Sequence, residues 1–221
     1  MNLVINEFNQ TPSESVVRIL EALNLGKPKQ LLYGKCVDKF TQYQFFKEKE
    51  LPHPEWTDDY HVAEEWQSAG HTVVCREQVK GAKGSGVFIC APGDDLVDAK
   101  IYVKYQKKKR EFRVNIFKNK FVNIREKKRK AGATGDTKVW SPHNGYITAH
   151  VQTPVKDLQL VKDLAEKASL VSESDFVGVD IIYNQFFDKY YVLEVNSGPA
   201  IEGSSVDDFA AAIEEWYEGN N

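Results

Sequence analysis

The segment from Phe176 to Gly203, FVGVDIIYNQFFDKYYVLEVNSGPAIEG, constrains the fold more than any other stretch of the chain. Two apolar runs rich in β-branched and aromatic residues, Val177 to Tyr183 and Tyr190 to Val195, flank a polar turn at Asn184 to Lys189, the pattern of a β-hairpin. Asp180 interrupts the first run, and Glu194 and Asn196 close the second. Side chains two apart on a strand share a face, so antiparallel pairing can bring Asp180 beside Glu194 and Asn196. Such a set offers only oxygen-type ligands, which suits Mg²⁺ or Mn²⁺ shared with nucleotide phosphates. The plainer alternative is a buried Asp paired with a lysine, because unpaired buried carboxylates are rare.

With 221 residues, 42% of them hydrophobic, and a net charge of −3, the chain can bury one or two compact cores. No apolar run approaches the roughly 20 residues of a membrane span, and no basic segment with a long apolar core opens the chain. An intracellular location without membrane contact is the expectation. Cys36, Cys75 and Cys90 are odd in number and widely spaced, which predicts reduced thiols rather than a disulfide framework or a zinc site. Charge is uneven: 14 Lys and Arg against two acids, Glu111 and Glu126, lie between Lys100 and Lys130, leaving 15 basic and 30 acidic residues elsewhere. A cationic middle in an acidic protein usually faces a polyanion.

The remaining pieces follow in order. A short strand at Leu3 to Ile5 and a helix from about Ser13 to Leu25 form a small leading unit ended by Gly26, Lys27 and Pro28. Asp38 heads a helix, DKFTQYQFFKEKE, with Lys39 in its first turn, and PHPEWT after it is extended. A polar helix around Ala63 to Ser68 leads into the strand HTVVCRE, in which Arg76 is a cation needing an anionic partner. The following loop, with Gly81, Gly84, Ser85 and Gly86, can lay bare backbone N–H groups against phosphate oxygens. It is neither a Walker loop nor a Rossmann fingerprint.

AKIYVKY at Ala99 to Tyr105 is a strand, and EFRVNIFKNKFVNIREKKRK a hairpin turning at Lys118 to Lys120. On it Glu111 and Arg113 share a face opposite Phe112 and Val114. That pair is either a solvated cross-strand ion pair or a ribose acceptor beside an anion-binding guanidinium. Ala131 to Gln152 is expected to be a substrate-side loop, Asp157 to Ala168 an amphipathic helix, and the segment after Gly203 a closing helix capped by Ser204 or Ser205. His143 and Cys75 lack partner motifs and are expected to be structural.

A DK-headed helix ending in LPHP, a strand carrying a cation, a glycine-rich hairpin, the EFRV strand, GVDI and YYVLEVNSGP, in that order, resemble the ATP-grasp superfamily from about Lys35 to the C-terminus. Within it the chain is most similar to the ribosomal-protein glutamate ligases and to small phage-encoded members. The resemblance implies an α+β fold in which two α+β subdomains clasp a nucleotide. A reduced leading unit would span 1–34, an N-terminal subdomain with the flap 35–103, and a C-terminal subdomain with the metal site 104–221.

By the same resemblance Lys39, Arg76 and the flap residues Gly84, Ser85 and Gly86 would meet ATP phosphates. The chain around Tyr102, Lys104 and Tyr105 would meet the adenine, and Glu111 the ribose. Asp180, Glu194 and Asn196 would hold Mg²⁺ or Mn²⁺. The family pattern gives no clear counterpart for the cation at the substrate carboxylate, for which Arg113, Lys128 and Arg129, in that order, are the candidates. Arg76 stands where the family usually has Lys. The implied activity is ATP-dependent carboxylate–amine ligation through an acyl phosphate, on small-molecule or peptide substrates, in the cytoplasm (the host's, for a phage protein). The alternatives are a protein that binds nucleic acid or an acidic partner through the basic hairpin, and a nucleotide-binding protein without turnover.

Overall fold

A computed structural model describes residues 37–79, 86–199, 201 and 203–219. The expected leading strand and helix, Cys36, Gly84 and Ser85 lie outside the described residues. The first element, helix α1 (Lys39–Glu48), begins at Asp38, whose carboxylate accepts from the Thr41 N–H and hydroxyl, each at 2.9 Å. An acceptor at this position satisfies N–H groups that have no partner inside the helix. Tyr43 and Phe46 are buried, while Phe40 and Phe45 pack at the margin of the same core.

Strands β1 (Trp56–Thr57), β2 (Val73–Arg76), β3 (Val87–Cys90) and β4 (Ile101–Lys104) make a four-stranded antiparallel sheet in the order β1-β4-β2-β3. Helix α2 (Tyr60–Ser68) covers one face, where Ala63, Val73, Cys75, Cys90 and Tyr102 form a small core. The Cys75 and Cys90 sulfurs are 3.6 Å apart as free thiols. Burial together with the Cys90 neighbour pushes the Cys75 thiol up to about 12, so it is packed as an apolar group and not poised as a nucleophile.

A larger sheet takes the order β7-β6-β5-β8-β9, from β5 (Arg110–Phe117), β6 (Lys120–Arg129), β7 (Tyr146–His150), β8 (Phe176–Asn184) and β9 (Lys189–Asn196). The β5–β6 turn consists of Lys118 and Asn119, both at positive φ, which matches the right-handed twist of the flanking strands. Strand β7 falls within the stretch expected to be a loop.

Helix α3 (Leu158–Ser169) buries Val161, Leu164, Ala165 and Ala168 on one face of the large sheet, against Phe112, Val114, Val179, Ile181 and Val192. Burying such side chains stabilises by roughly 1.5–3 kcal/mol each. Helix α4 (Ser205–Gly219) covers one end of the opposite face, where Phe209 and Ile213 meet Phe117 and Phe176. What remains of that second face, between α4 and the small sheet, carries charged side chains instead of apolar ones.

Candidate functional site

Register assembles the charged face. Arg113 of β5 lies opposite Asp180 of β8, and Asp180 opposite Glu194 of β9. In the next row Asn115, Gly178 and Asn196 are aligned. Leu193 is an extra residue at a bulge beside Asp180, which keeps Glu194 and Asn196 on the face of Asp180 while Val192 turns to the core.

Asp180 is 3% exposed. Arg113 grips it with two donors, Nε to Oδ1 and Nη2 to Oδ2 at 3.0 Å, and Lys127 Nζ donates to Oδ2 at 3.0 Å. Lys127 also donates to Glu111, whose second oxygen takes Lys108. Burial opposes the charged form of Asp180, but Arg113 and Lys127 outweigh it and hold the carboxyl below its usual range. For Lys127 burial is likewise outweighed, by Asp180 and Glu111, and its ammonium is held more firmly protonated; for Lys108 burial wins and the pKa falls.

Two cations reach this face from the small unit. Gln42 of α1 acts as a substitute strand for the free edge of β9: its amide donates to Val195 O at 2.9 Å and its carbonyl accepts from Val195 N at 2.8 Å. One turn earlier on the same helix, Lys39 Nζ therefore meets Glu194 Oε2 at 2.8 Å. Arg76 ends β2, and its buried Nε has no hydrogen-bond partner among the described residues. Burial would raise the Glu194 pKa, but Lys39 and Arg76 draw it far below normal.

Lys39, Arg76, Lys108, Arg113 and Lys127 thus face Glu111, Asp180 and Glu194, five cations against three carboxylates. That excess of positive charge, with an unpartnered guanidinium N–H inside it, suits a polyanion. The oxygen donors also fit a hard cation. Glu194 Oε1 accepts no hydrogen bond among the described residues, and Asn196 turns its Nδ2 to Gly178 O at 3.4 Å, leaving Oδ1 uncommitted. No group of three or more His, Cys, Asp or Glu suited to a metal occurs among the described residues, so the set depends on the Asn196 amide.

Other expected residues are placed differently. Lys128 projects from the opposite face of β6 and pairs with Glu126 at 2.9 Å, away from the cluster. Arg129 is on the cluster's face but donates to Ala133 O and Gly135 O, fastening the loop after β6. The backbone expected at the adenine is largely committed. Tyr102 is paired on both sides within the small sheet, and the Lys104 and Tyr105 N–H groups donate to Glu55 O and Thr72 O, both at 2.9 Å. Among the described residues, Gln106 is the first position after them whose backbone N–H has no backbone partner. Lys104 turns its side chain to Glu55. Gly86 closes the base of the flap, its carbonyl accepting from Glu77 N at 3.0 Å.

The cationic middle is mostly satisfied internally: eight of its 14 Lys and Arg are ion-paired to the chain's own carboxylates. The polyanion it faces is in large part the protein itself. Lys127, Lys108 and Gln42 are residues of the cluster that the sequence did not single out.

Gly178 is required by this packing, since a Cβ there would sit 2.8 Å from Arg113 Cδ and 3.1 Å from Pro199 Cβ. Gly178→Ala is expected to displace Arg113 from Asp180 and to destabilise by about 1–3 kcal/mol in urea unfolding, the range for overpacking. An effect under about 0.5 kcal/mol would show that the guanidinium has room to move. The depressed carboxylates set a pH window as well. Asp180, Glu194 and Glu126, the last held down by Arg110 and Lys128 against the effect of burial, contribute stability that is fully present above the unfolded carboxylate pKa of about 4 and is lost as pH falls through the folded values. The melting temperature is expected to be level from pH 7 to 5 and to fall steeply below pH 4.

Several solved structures share this architecture. D-alanine–D-alanine ligase from Bacillus anthracis aligns with a TM-score of 0.62 at 18% identity, over 92% of this chain and 70% of that one. The ATP-grasp ligase PsnB, complexed with a minimal precursor, gives 0.58 at 14% over 83% and 63%. N5-carboxyaminoimidazole ribonucleotide synthetase from Thermotoga maritima gives 0.57 at 17% over 90% and 55%. The chain thus spans under two thirds of the last two. No curated protein sequence matches it. Two unequal antiparallel sheets enclosing a charged cleft define the ATP-grasp fold, α+β in class. The sequence profile of the RimK-like ATP-grasp domain matches residues 70–215, and the chain belongs to that family.

Proposed function

We infer that this protein is an ATP-dependent carboxylate–amine ligase, with leading unit 1–34 and nucleotide-clasping subdomains 35–103 and 104–221. The observation that carries the inference is the net-cationic cluster between the sheets, with Arg76 Nε unpartnered inside it. A carboxylate is a poor acyl donor because its leaving group would be oxide. In the first step a carboxylate oxygen attacks the γ-phosphorus of ATP, the bond to ADP breaks, and an acyl phosphate forms. In the second an amine attacks the acyl carbon, inorganic phosphate leaves, and the amine gives up a proton to form the amide.

The chain's residues supply positioning and charge. Arg76 and Lys39 hold phosphate oxygens, with the flap residues Gly84, Ser85 and Gly86 over them. Gln106, whose backbone N–H has no backbone partner among the described residues, meets the adenine edge. Asp180, Glu194 and Asn196 would hold Mg²⁺ or Mn²⁺, Asp180 through the lone pairs that Arg113 and Lys127 leave open, and the metal would offset phosphate charge. Arg113 and Lys127, both fixed by Asp180, bind the substrate carboxylate, and Glu111 orients Lys127. A ribose contact at Glu111 requires Lys108 to withdraw from it.

The solved PsnB complexes contain a precursor peptide, and peptide substrates are the class we assign here as well. The cytoplasm, which supplies ATP and Mg²⁺, is the proposed location; no helix among the described residues is long and apolar enough to cross a membrane. The test is incubation with ATP, Mg²⁺ and pools of amino acids and peptides, followed by mass spectrometry. A product with the summed mass of acid and amine less one water, with one ADP per product, supports the proposal; nucleotide binding without any product in all pools overturns it in favour of binding without turnover.

A further inference from the structure

The turn between β8 and β9 presents two phenyl rings to solvent. Phe186 is 84% exposed and Phe187 61%, with their centroids 5.0 Å apart in an edge-to-face arrangement. This presentation is built rigidly. The buried Asn184 accepts from the N–H groups of both Phe186 and Phe187 through Oδ1, at 2.9 and 3.3 Å, and donates from Nδ2 to Gln106 Oε1 at 3.3 Å. On the far side of the turn Asp188, in the left-handed region at φ 50, is held by Lys156 and by the Tyr183 hydroxyl, each at 2.6 Å. A collapsing turn would fold its rings onto the sheet; these bonds hold them out.

Beside the rings lies a cavity of about 840 Å³, walled by the turn, by Tyr191 and by the chain from Lys104 to Lys109. Its charge is one-sided. Four lysines line it against a single carboxylate, Glu55. Lys104 is satisfied by Glu55 and Lys108 by Glu111, whereas Lys107 and Lys109 are exposed and form no ion pair among the described residues. Lys108 is shared with the cluster between the sheets and Gln106 with the proposed adenine edge, so this surface adjoins the cleft, while Phe186, Phe187, Lys107 and Lys109 lie outside it.

We propose that the cavity beside Phe186 and Phe187 docks an acidic peptide segment carrying a large apolar side chain, with the side chain against the phenyl rings and the carboxylates on Lys107 and Lys109. Aromatic anchors flanked by charge are what a peptide hot spot needs. A nucleic-acid strand is disfavoured because it needs a continuous track of free cations. Lys118, Arg125, Lys127 and Lys128, which would extend the track along the hairpin, are spent on the chain's own carboxylates. The proposal holds whether or not the cleft turns over ATP.

The test is fluorescence anisotropy of the full chain with a labelled heptapeptide, Glu-Glu-Glu-Phe-Glu-Glu-Glu, its all-lysine counterpart around the same Phe, and a labelled ten-nucleotide oligothymidylate. Expected are saturable binding of the acidic peptide, none of the basic one, and weakening of at least 10-fold both in Phe186→Ser/Phe187→Ser and in Lys107→Glu/Lys109→Glu. Because every substituted residue is exposed, the variants should keep wild-type melting temperatures and wild-type affinity for an ATP analogue. Absence of peptide binding, binding unchanged by both double substitutions, or oligothymidylate bound more tightly through the same residues would each overturn the proposal. The last outcome would make the surface a nucleic-acid site.

Discussion

Glu194→Gln is expected to lower Mg²⁺-dependent ADP release by roughly 10²–10³-fold, the loss usual for one preorganised charged group acting on a transition state. The side chain keeps its size and its place opposite Asp180, but the carboxylate that meets Lys39 at 2.8 Å and offers the uncommitted Oε1 is gone. Lys39 then lies in the cleft without its anion, and the metal loses a charged donor. Glu126→Gln is the matched control. Glu126 is also a buried carboxylate with two cationic partners, Arg110 and Lys128, but it sits on the opposite face of the same sheet. Its loss is expected to cost stability and to leave ADP release within about threefold of wild type. Equal activity losses in the two variants would mean that the effect is one of folding.

Arg113→Met has the largest expected effect on stability. Removing one partner of a buried ion pair strands the other, at a typical cost of about 3–5 kcal/mol, and the lower end applies here because Lys127 remains on Asp180. Asp180→Asn placed on that background should recover part of the loss, since the buried carboxylate stranded by the loss of Arg113 is then gone while Lys127 keeps Glu111. A double-mutant cycle by urea unfolding is expected to show coupling above about 1 kcal/mol. Additive losses would show that Arg113 and Asp180 act independently despite the two hydrogen bonds between them.

Much of this site was visible in the sequence because β8 and the end of β9, from Glu194 to Asn196, alternate regularly. The β8–β9 hairpin lies within one residue of its expected limits, and Asp180, Glu194 and Asn196 share a face as the spacing requires. The plainer alternative for Asp180 also describes the structure, with Arg113 and Lys127 as its partners. What the sequence hid was phase. The two-residue turn at Lys118 and Asn119 pairs Ile116 with Phe121; continued without interruption, that register would put Lys128 on the face of Glu111 and Arg113. A bulge at Val122 shifts the ladder so that Asn115 meets Asn123 and Arg113 meets Arg125, which brings Lys127 inward and turns Lys128 away.

Other features depend on contacts far apart in the chain. Gln42 shows no local signal for bonding to β9, because its partner is 153 residues away. Strand β7, with Gly, Ser, Asn and His around it, has little apolar alternation since it lies at the sheet edge with most side chains in solvent. Composition indicated a cationic middle but not its carboxylate partners, because ion pairs across strands are fixed by register.

Isothermal titration of AMP-PNP into the protein tests the central claim most directly, that the charged cleft receives a metal-bound triphosphate. The expected result is one saturable site per chain that requires Mg²⁺ and is weakened at least 10-fold by Arg76→Met, which removes the buried Nε that has no hydrogen-bond partner among the described residues. Heat that is absent with Mg²⁺ present, or an affinity indifferent to both Mg²⁺ and Arg76, would contradict it.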